Sequence, residues 1–273
     1  WLVACDRAYS CDIYVKHQGS SLRVYVGRPQ SSKWDLIVQG SASGSRLRVE
    51  GSNQADLILI RSNRDAPYLA GGPGDDVLFA GVSSLDHAAT TKGQNGDDVL
   101  LSGAWDAKLK GGSGRDVLVT RNEYNSLHGG GGADLILGLG NFGTLRGGTG
   151  DDTLIGHSID NLLEGQAGHD LLHSWSSGEP STGGAGDDWV KVNGYGVVAP
   201  GASGTDTCSS KATADCEVLM SSAESNQVTS LANHAAALGH HIGDSISEFD
   251  NASYFNINSY GYPRPSPCAG ATA

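Results

Sequence analysis

Aspartates recur at a fixed place in a glycine-rich motif along most of this chain of 273 residues. In seven consecutive copies, 18 residues apart, an aspartate stands five residues after one glycine and two residues after another. Two earlier copies keep the five-residue offset with wider gaps between them. A carboxylate beside the carbonyl oxygens of a tight glycine turn offers hard oxygen ligands, and an ion that takes six or more of these is typically calcium rather than zinc. The motif predicts calcium sites between successive turns.

The spacing also predicts the elements that position these turns. The position seven residues after the first glycine of each motif is occupied by an apolar residue in every copy, from Ile58 to Cys208. The position two residues before that glycine is apolar in most copies. We expect both columns of residues to point into the core. Each coil then has two short strands that contribute one core side chain apiece, so a coil must stack on its neighbours to bury that core. We therefore expect an all-β fold, a right-handed parallel β-roll solenoid of about nine coils of 18 residues.

Several copies, including GGPGDDVLF, GGSGRDVLV and GGTGDDTLI, resemble the calcium-binding nonapeptide of repeats-in-toxin (RTX) proteins. The resemblance spans roughly residues 51–209. It implies that calcium lies between equivalent turns of adjacent coils and is shared by the aspartates of both, with help from turn carbonyls. The aspartates implied as ligands are Asp56, Asp76, Asp98, Asp116, Asp134, Asp152, Asp170, Asp188 and Asp206. The turn glycines implied with them are Gly71, Gly93, Gly111, Gly129, Gly147, Gly165 and Gly183.

The chain departs from that family in the second half of each coil. Typical members carry the motif twice per coil, whereas the second half-coils here read AWDAKLK, NEYNSLH and SIDNLLE. We therefore expect one column of calcium ions along one edge and ordinary hydrogen bonds along the other. The end sites fit less well, because Gln54 replaces a turn glycine and no matching turn follows the last copy.

The sequence divides into three segments around this repeat. Residues 1–50 contain alternating strand-like runs and are expected to form an N-terminal β-rich cap, residues 51–209 the calcium β-roll, and residues 210–273 a C-terminal cap with an extended tail. Within the last segment we expect a helix over about 222–238. Ser221 and Glu224 form a capping-box pattern, Gly239 is a stop signal, and the apolar stripe is Val228, Leu231, Ala235 and Leu238.

Residues that flank the inward column of the turn-proximal strands are apolar and should point out of the roll. A strip of this size marks a buried or interacting surface. Either the C-terminal helix covers it, or another surface protein or a second copy of the chain does so through self-association. The strip consists of Leu57, Leu59, Val77, Phe79, Val99, Leu101, Val117, Val119, Leu135, Leu137 and Ile155.

The net charge and the cysteines limit the kinds of partner and the cellular compartment that can be expected. The net charge of −12 argues against nucleic-acid partners, and no run of about 18 apolar residues predicts a membrane span. Cys5 with Cys11 and Cys208 with Cys216 could form local disulfides, which leaves Cys268 unpaired. The pairs favour export through an oxidising compartment to the cell surface or the extracellular space.

Catalytic motifs are missing from the sequence. The segment GSASG at residues 40–44 places alanine where a hydrolase nucleophile would stand, and no HExxH occurs. His157, His169 and His173 are interpreted as solvated surface residues, while His240, His241 and Asp244 form a weaker transition-metal candidate. We expect a non-enzyme, an exported calcium-binding structural protein that acts as a surface, adhesin or filament subunit. The alternative is a non-catalytic carrier or binding module of a larger secreted enzyme or toxin.

Overall fold

The computed structural model confirms a parallel β-solenoid followed by one helix. It describes residues 2–4, 12–18, 21–27, 34–41, 47–62, 66–82, 88–175, 181–193, 198–199, 203–209 and 216–251. Eight coils, between Arg48 and Val192, give a strand of three or more residues to each of two sheets. A ninth coil is reduced to two-residue strands, so the roll has about eight full coils where the repeat predicted about nine.

The first sheet contains ten strands, all joined in parallel. In spatial order they are β1 (Leu2–Ala4), β5 (Arg48–Glu50), β7 (Tyr68–Pro73), β9 (Thr90–Asn95), β11 (Lys108–Ser113), β13 (Ser126–Gly131), β15 (Thr144–Thr149), β17 (Leu162–Ala167), β19 (Ser181–Ala185) and β21 (Val198–Ala199). Neighbouring strands pair with the 18-residue register of the repeat, for example Leu109 with Leu127.

The second sheet contains thirteen strands and receives the chain after each aspartate turn. From the C-terminal end they are β23 (Val218–Leu219), β22 (Thr207–Cys208), β20 (Trp189–Val192), β18 (Leu171–Ser174), β16 (Thr153–Gly156), β14 (Leu135–Gly138), β12 (Val117–Thr120), β10 (Val99–Ser102), β8 (Val77–Val82), β6 (Leu57–Ser62), β2 (Asp12–Gln18), β3 (Ser21–Gly27) and β4 (Trp34–Ser41). The hairpin strands β2, β3 and β4 lie antiparallel and extend this sheet beyond the first coil, where β2 pairs in parallel with β6.

The core is the narrow space between the two sheets. Over the side chains that the structure describes, both inward columns are buried, with Leu109 and Leu127 from the first sheet facing Leu118 and Ile136 from the second. Each coil contributes only these two main core residues, so its burial depends on the coils on either side. At the C-terminal end a disulfide joins Cys208, in the inward column, to Cys216, as expected. The other predicted pair, Cys5 with Cys11, and the unpaired Cys268 lie outside the described residues.

The helix α1 (Ser222–Asn251) begins as predicted but is longer. The capping box forms, because the backbone N–H of Ser221 donates to Glu224 and that of Glu224 donates to the Ser221 hydroxyl. The predicted stop at Gly239 is wrong. Gly239 lies in the helix interior, where its missing side chain lets the backbone approach Val119, Leu137 and Leu139.

The helix covers part of the apolar strip on the outer face of the second sheet, whereas Val77 of the strip remains 37 % exposed. Leu101, Val119, Leu137 and Ile155 of that strip are buried together with Ala232 and Ala236 of the helix. The predicted helix stripe was partly wrong, since Leu231 and Leu238 are 48 % and 52 % exposed. Small residues form the contact face instead, because they allow a helix to lie close to a flat sheet.

Polar groups continue the strip toward the C-terminal coils. Lys191 follows Ile155 and His173 in register and donates from Nζ to the carbonyl oxygen of Ser225 and to the hydroxyl groups of Ser225 and Thr229. His173 is completely buried against Trp175, so its interpretation as a solvated surface residue was wrong. Burial, and then the charge of Lys191, lower the pKa of His173 to about 4.

Candidate metal centre

Each aspartate turn runs from the end of a first-sheet strand to the start of a second-sheet strand. In the coil of β11 and β12 it covers residues 111–116, with Gly112 and Gly114 at φ of 137° and 126°. A β-carbon on Gly130 would overlap the carbonyl oxygen of Gly112 in the preceding coil, and one on Gly132 would overlap that of Gly114. Glycine therefore lets the turns stack directly, carbonyl against α-carbon.

The nine predicted aspartates form one buried column along this edge. Every one of their side chains is at most 5 % exposed. One carboxylate oxygen, Oδ1, accepts the backbone N–H of the aspartate one coil earlier, as in the 2.8 Å bond from Asp116 N–H to Asp134. The same bond links every successive pair from Asp56 to Asp206. The column is therefore fixed in register by half of each carboxylate.

The other carboxylate oxygen, Oδ2, has no hydrogen-bond partner among the described residues in most of the column. This holds for Asp76, Asp98, Asp116, Asp134, Asp152, Asp170 and Asp188. A buried acceptor that is left without a partner is costly, so each of these oxygens calls for a proton or a cation.

A backbone oxygen points into the same space from the next coil. At Gly111 the side-chain position that glycine leaves empty is bordered by Oδ2 of Asp116 and by the carbonyl oxygen of Gly129. The same pair of oxygens borders the equivalent space at Gly93, Gly129, Gly147 and Gly165. Two negatively polarised oxygens that converge in a buried space repel each other unless a cation lies close by, so these residues fit a calcium ion.

The carboxyl pKa values support this interpretation. Burial raises them above the ordinary 3.8, while the hydrogen bond from the preceding coil lowers them and neighbouring aspartates add a smaller repulsion. The pKa reaches about 8 for Asp76, about 7 for Asp98, Asp134 and Asp152, and about 6 for Asp116, Asp170 and Asp188. A nearby divalent cation would remove the cost of ionisation that these values express.

The donor set is mostly backbone. No group of three or more His, Cys, Asp or Glu side chains converges in the described ranges. A site between two coils would draw on one carboxylate from each coil and on carbonyl oxygens, which suits calcium and excludes a zinc site of the usual nitrogen and sulfur type.

A comparison with protein families decides what the repeat is. The model of the RTX calcium-binding nonapeptide repeat (4 copies) matches residues 68–83, 110–145 and 138–172. The roll is an RTX calcium-binding β-roll. The matched ranges include the turns of Asp76, Asp116, Asp134, Asp152 and Asp170. No curated protein and no solved structure matches this chain.

The ends of the RTX column differ from its middle. At the first turn Asp56 is already engaged, because Ser52 donates to Oδ2 through its N–H and to Oδ1 through its hydroxyl. At the last turn Glu217 takes the place of a further aspartate and accepts the N–H of Asp206 at 2.9 Å. Weak end sites were expected from the sequence, but Glu217 was not predicted because it lies outside the 18-residue frame.

In four turns a second acid directly precedes the column aspartate, and this acid lies on the surface. Asp75, Asp97, Asp151 and Asp187 are exposed and each accepts a backbone N–H from the following coil, as in the 2.8 Å bond from His169 N–H to Asp151. Arg115 also pairs with Asp97. These bonds stiffen the outside of the turns, and the carboxylates point away from the buried column.

The opposite edge is held by asparagine, which the sequence analysis did not single out. Asn125 and Asn161 are buried and accept the N–H groups of Ala107 and Gly143, each 18 residues earlier, at 2.7 and 2.8 Å. Their side-chain NH₂ groups donate to carbonyl oxygens of the same edge. Their hydrogen bonds confirm that this edge relies on ordinary side-chain and backbone bonding.

Proposed function

We propose that this chain is an exported, non-catalytic structural module whose roll folds when a single column of calcium ions binds between the aspartate turns. The observation that carries the proposal is the run of seven buried, unpartnered Oδ2 oxygens. The ligands would be the column aspartates from Asp76 to Asp188 with the carbonyl oxygens of Gly111, Gly129, Gly147, Gly165 and Gly183. When bound, calcium supplies positive charge to a buried row of oxygens that otherwise repel one another.

The position of the helix on the apolar strip helps to decide whether the chain acts as a monomer or assembles into a filament. Because α1 packs over Leu101, Val119, Leu137 and Ile155, a large part of the apolar strip predicted for self-association is used within the chain. We therefore favour a surface or adhesin-type module that works as a monomer over a filament subunit. In the part of the chain that the structure describes, no helix is long and apolar enough to cross a membrane.

Calcium at millimolar concentration outside cells suits such a switch. Extracellular calcium modules have dissociation constants of about 10⁻⁴–10⁻³ M, so the roll would stay loose in a low-calcium compartment and fold after export. The free energy of calcium binding would then stabilise the folded roll.

The decisive experiment measures far-ultraviolet circular dichroism and molar mass of the full chain in calcium and in a chelator. We expect β-sheet content and a compact monomer in calcium, and loss of both in chelator. Unchanged β-content after complete calcium removal would contradict the proposal, and growth of large species with calcium would favour the filament.

A matched pair of substitutions then tests the ligands. Asp152→Asn removes the charge of a column aspartate, whereas Asp151→Asn makes the same change on the exposed neighbour. Calcium titration calorimetry should show fewer ions bound by Asp152→Asn and an unchanged number for Asp151→Asn. Equal losses in both variants would contradict the proposed ligand set.

A further inference from the structure

The outer face of the first sheet carries a row of basic side chains that the calcium sites do not use. In register across four neighbouring strands lie Lys92, Lys110, His128 and Arg146. Lys108 lies beside this row on β11, and both Lys108 and Lys110 are exposed. At about 4.8 Å between strands, the four positions extend over about 14 Å. We call these five residues the basic row.

The row gives the fold little support beyond the contact of the Lys92 ammonium with the Tyr68 ring, 5.4 Å from its centroid. Like charges directly opposite each other on neighbouring strands are destabilising. Burial, and then Lys110 and Arg146 on either side, lower the pKa of His128, which reports a positive potential along the row. Within the described residues Lys92, Lys108 and Lys110 have no carboxylate partner, whereas Arg146 pairs with Glu164.

The setting of the row is unusual for a chain with net charge −12. The column aspartates and their exposed neighbours lie along one edge, Asp106 is exposed on the other, and Glu50 and Glu164 lie beyond the two ends. A flat anionic surface such as a membrane would meet these acids as well as the row. A thin anionic chain could follow the row alone.

We propose that the basic row binds a linear anionic polysaccharide, with sulfate or carboxylate groups paired to Lys92, Lys108 and Lys110. Hydroxyl groups of Thr90, Ser126 and Thr144 lie in register with Lys108 and offer hydrogen bonds to the sugar units. Neutralisation of the aspartate edge by calcium would weaken the repulsion that the rest of the molecule exerts on such a chain. This site is separate from the calcium column and goes beyond the function proposed above.

Polymers with a shared backbone provide the test. Binding of the full chain in calcium is measured by calorimetry with dextran, carboxymethyl-dextran and dextran sulfate, and by co-sedimentation with vesicles rich in phosphatidylglycerol. We expect no binding to dextran and salt-dependent binding to one or both charged polymers, and the stronger of these identifies carboxylate or sulfate as the preferred group. Tighter binding to the vesicles than to either polymer would overturn the proposal.

Substitutions locate the site. Lys92→Gln/Lys108→Gln/Lys110→Gln should weaken polymer binding on the order of tenfold or more and reduce the salt-dependence slope by about one per lysine. Lys110→Gln should weaken binding more than Arg115→Gln, which removes the same charge at the aspartate edge. Glu164→Gln, which removes the acid at the end of the row, should strengthen it.

The controls separate this proposal from the calcium sites. Circular dichroism and calcium titrations of the lysine variants should match those of the unaltered chain. If these variants fold and bind calcium normally but bind the charged polymers as tightly as the unaltered chain, the basic row is not the site, while the calcium proposal stands. Binding through calcium bridges to the aspartate edge would give that same result.

Discussion

The aspartate edge and the asparagine edge of the roll both turn the chain between the two sheets, and they use different backbone conformations. On the aspartate edge the turn positions reach φ of 115–143° at glycines, a region that other residues rarely adopt. On the asparagine edge Asp106, Tyr124, Phe142 and Asp160 have φ between 49° and 60°, within the left-handed region that L-residues can occupy.

The two edges also differ in how completely they satisfy their polar groups. Asn125 and Asn161 use both the oxygen and the NH₂ group of the amide. The column aspartates from Asp76 to Asp188 use one oxygen and leave the other without a partner in the described part of the roll. The asparagine edge therefore satisfies its buried polar groups with hydrogen bonds alone, whereas the aspartate edge needs a bound cation to do so.

The largest expected contrast is in the pH dependence with and without calcium. The column carboxyls from Asp76 to Asp188 have pKa values near 3.8 when unfolded and of about 6 to 8 in the folded roll. Because folding raises these pKa values, their stabilising effect is complete below about pH 4 and disappears as the pH rises to about 8.

In calcium the slope should reverse, because protons compete with the ion and stability falls as the pH drops through the same range. Urea titrations in calcium and TMAO titrations in chelator, each at pH 4.5, 6 and 8 and followed by circular dichroism, measure both slopes. Parallel slopes under the two conditions would show that the column does not bind the ion. The asparagine edge should contribute to neither slope, since an amide does not titrate.

A second contrast concerns Asp134→Asn. In saturating calcium we expect a loss of up to about 5 kcal/mol, because a site at 100-fold its dissociation constant contributes about 2.7 kcal/mol and this aspartate borders two sites. In chelator at pH 8 the same substitution should stabilise the roll by about 1–3 kcal/mol, since it removes a buried charge and keeps the bond from Asp116 N–H.

The change in the free energy of unfolding caused by Asp134→Asn should therefore have opposite signs with and without calcium. Urea unfolding provides the value in calcium, and folding of the chelated chain by the osmolyte TMAO, followed by circular dichroism, provides the value in chelator. A substitution that destabilises the roll equally with and without calcium would assign Asp134 a purely structural role.

The third contrast uses glycines. Gly130→Ala should cost about 3 kcal/mol or more, because φ is 126° and the new β-carbon would overlap the carbonyl oxygen of Gly112. Gly103→Ala is the control, since no atom of the described structure lies within 4 Å of its β-carbon position. Thermal unfolding in calcium should show a lower midpoint for the first variant only. A similar fall for both would mean that stacking of the turns is not the constraint.

On the opposite edge, Asn161→Ala should cost about 1–3 kcal/mol, because it leaves the N–H of Gly143 without its acceptor. The loss of stability should be the same at every calcium concentration at which the roll is folded. Denaturant unfolding across a calcium series measures this. A cost that grows with calcium would mean that the two edges are coupled through the coils.

The sequence predicted the aspartate edge well because one motif determines both its geometry and its chemistry. A glycine at 18-residue spacing fixes the turn, and the aspartate five residues later falls in the same column in every coil. The asparagine edge was predicted only by elimination. Asn125 and Asn161 alternate with Ala107 and Gly143 in the equivalent positions, so no continuous signal marks the column.

The helix shows the limit of periodicity. Leu231 and Leu238 fit an apolar stripe, yet the buried positions include Ala232, Ala236 and Gly239. A flat sheet accepts a helix most closely on small side chains, and a sequence cannot tell which face of a mixed helix will meet such a surface. Glu217 was missed for a related reason, because the chain reaches it through a disulfide loop that breaks the repeat.

The smallest expected effect comes from two irregular turns of the aspartate edge. Gln94 and Gln166 occupy positions where other coils have glycine, at φ of 95° and 84°. Glycine removes the strain energy of this backbone conformation, and it also raises the conformational entropy of the unfolded chain. The first effect on the free energy of unfolding is the larger, so Gln166→Gly should stabilise the roll by about 0.5–1 kcal/mol. With Gln94→Gly added the effects should sum, because the two turns are four coils apart.

Asp106→Gly makes the comparable change on the asparagine edge, where φ is only 49° and little strain is released. It should therefore be neutral or slightly destabilising. Unfolding midpoints in saturating calcium rank the three variants. If Asp106→Gly stabilised the roll as much as Gln166→Gly, the backbone of the two edges would be equally strained, and the different residues at their turns would have to be explained by side-chain chemistry alone.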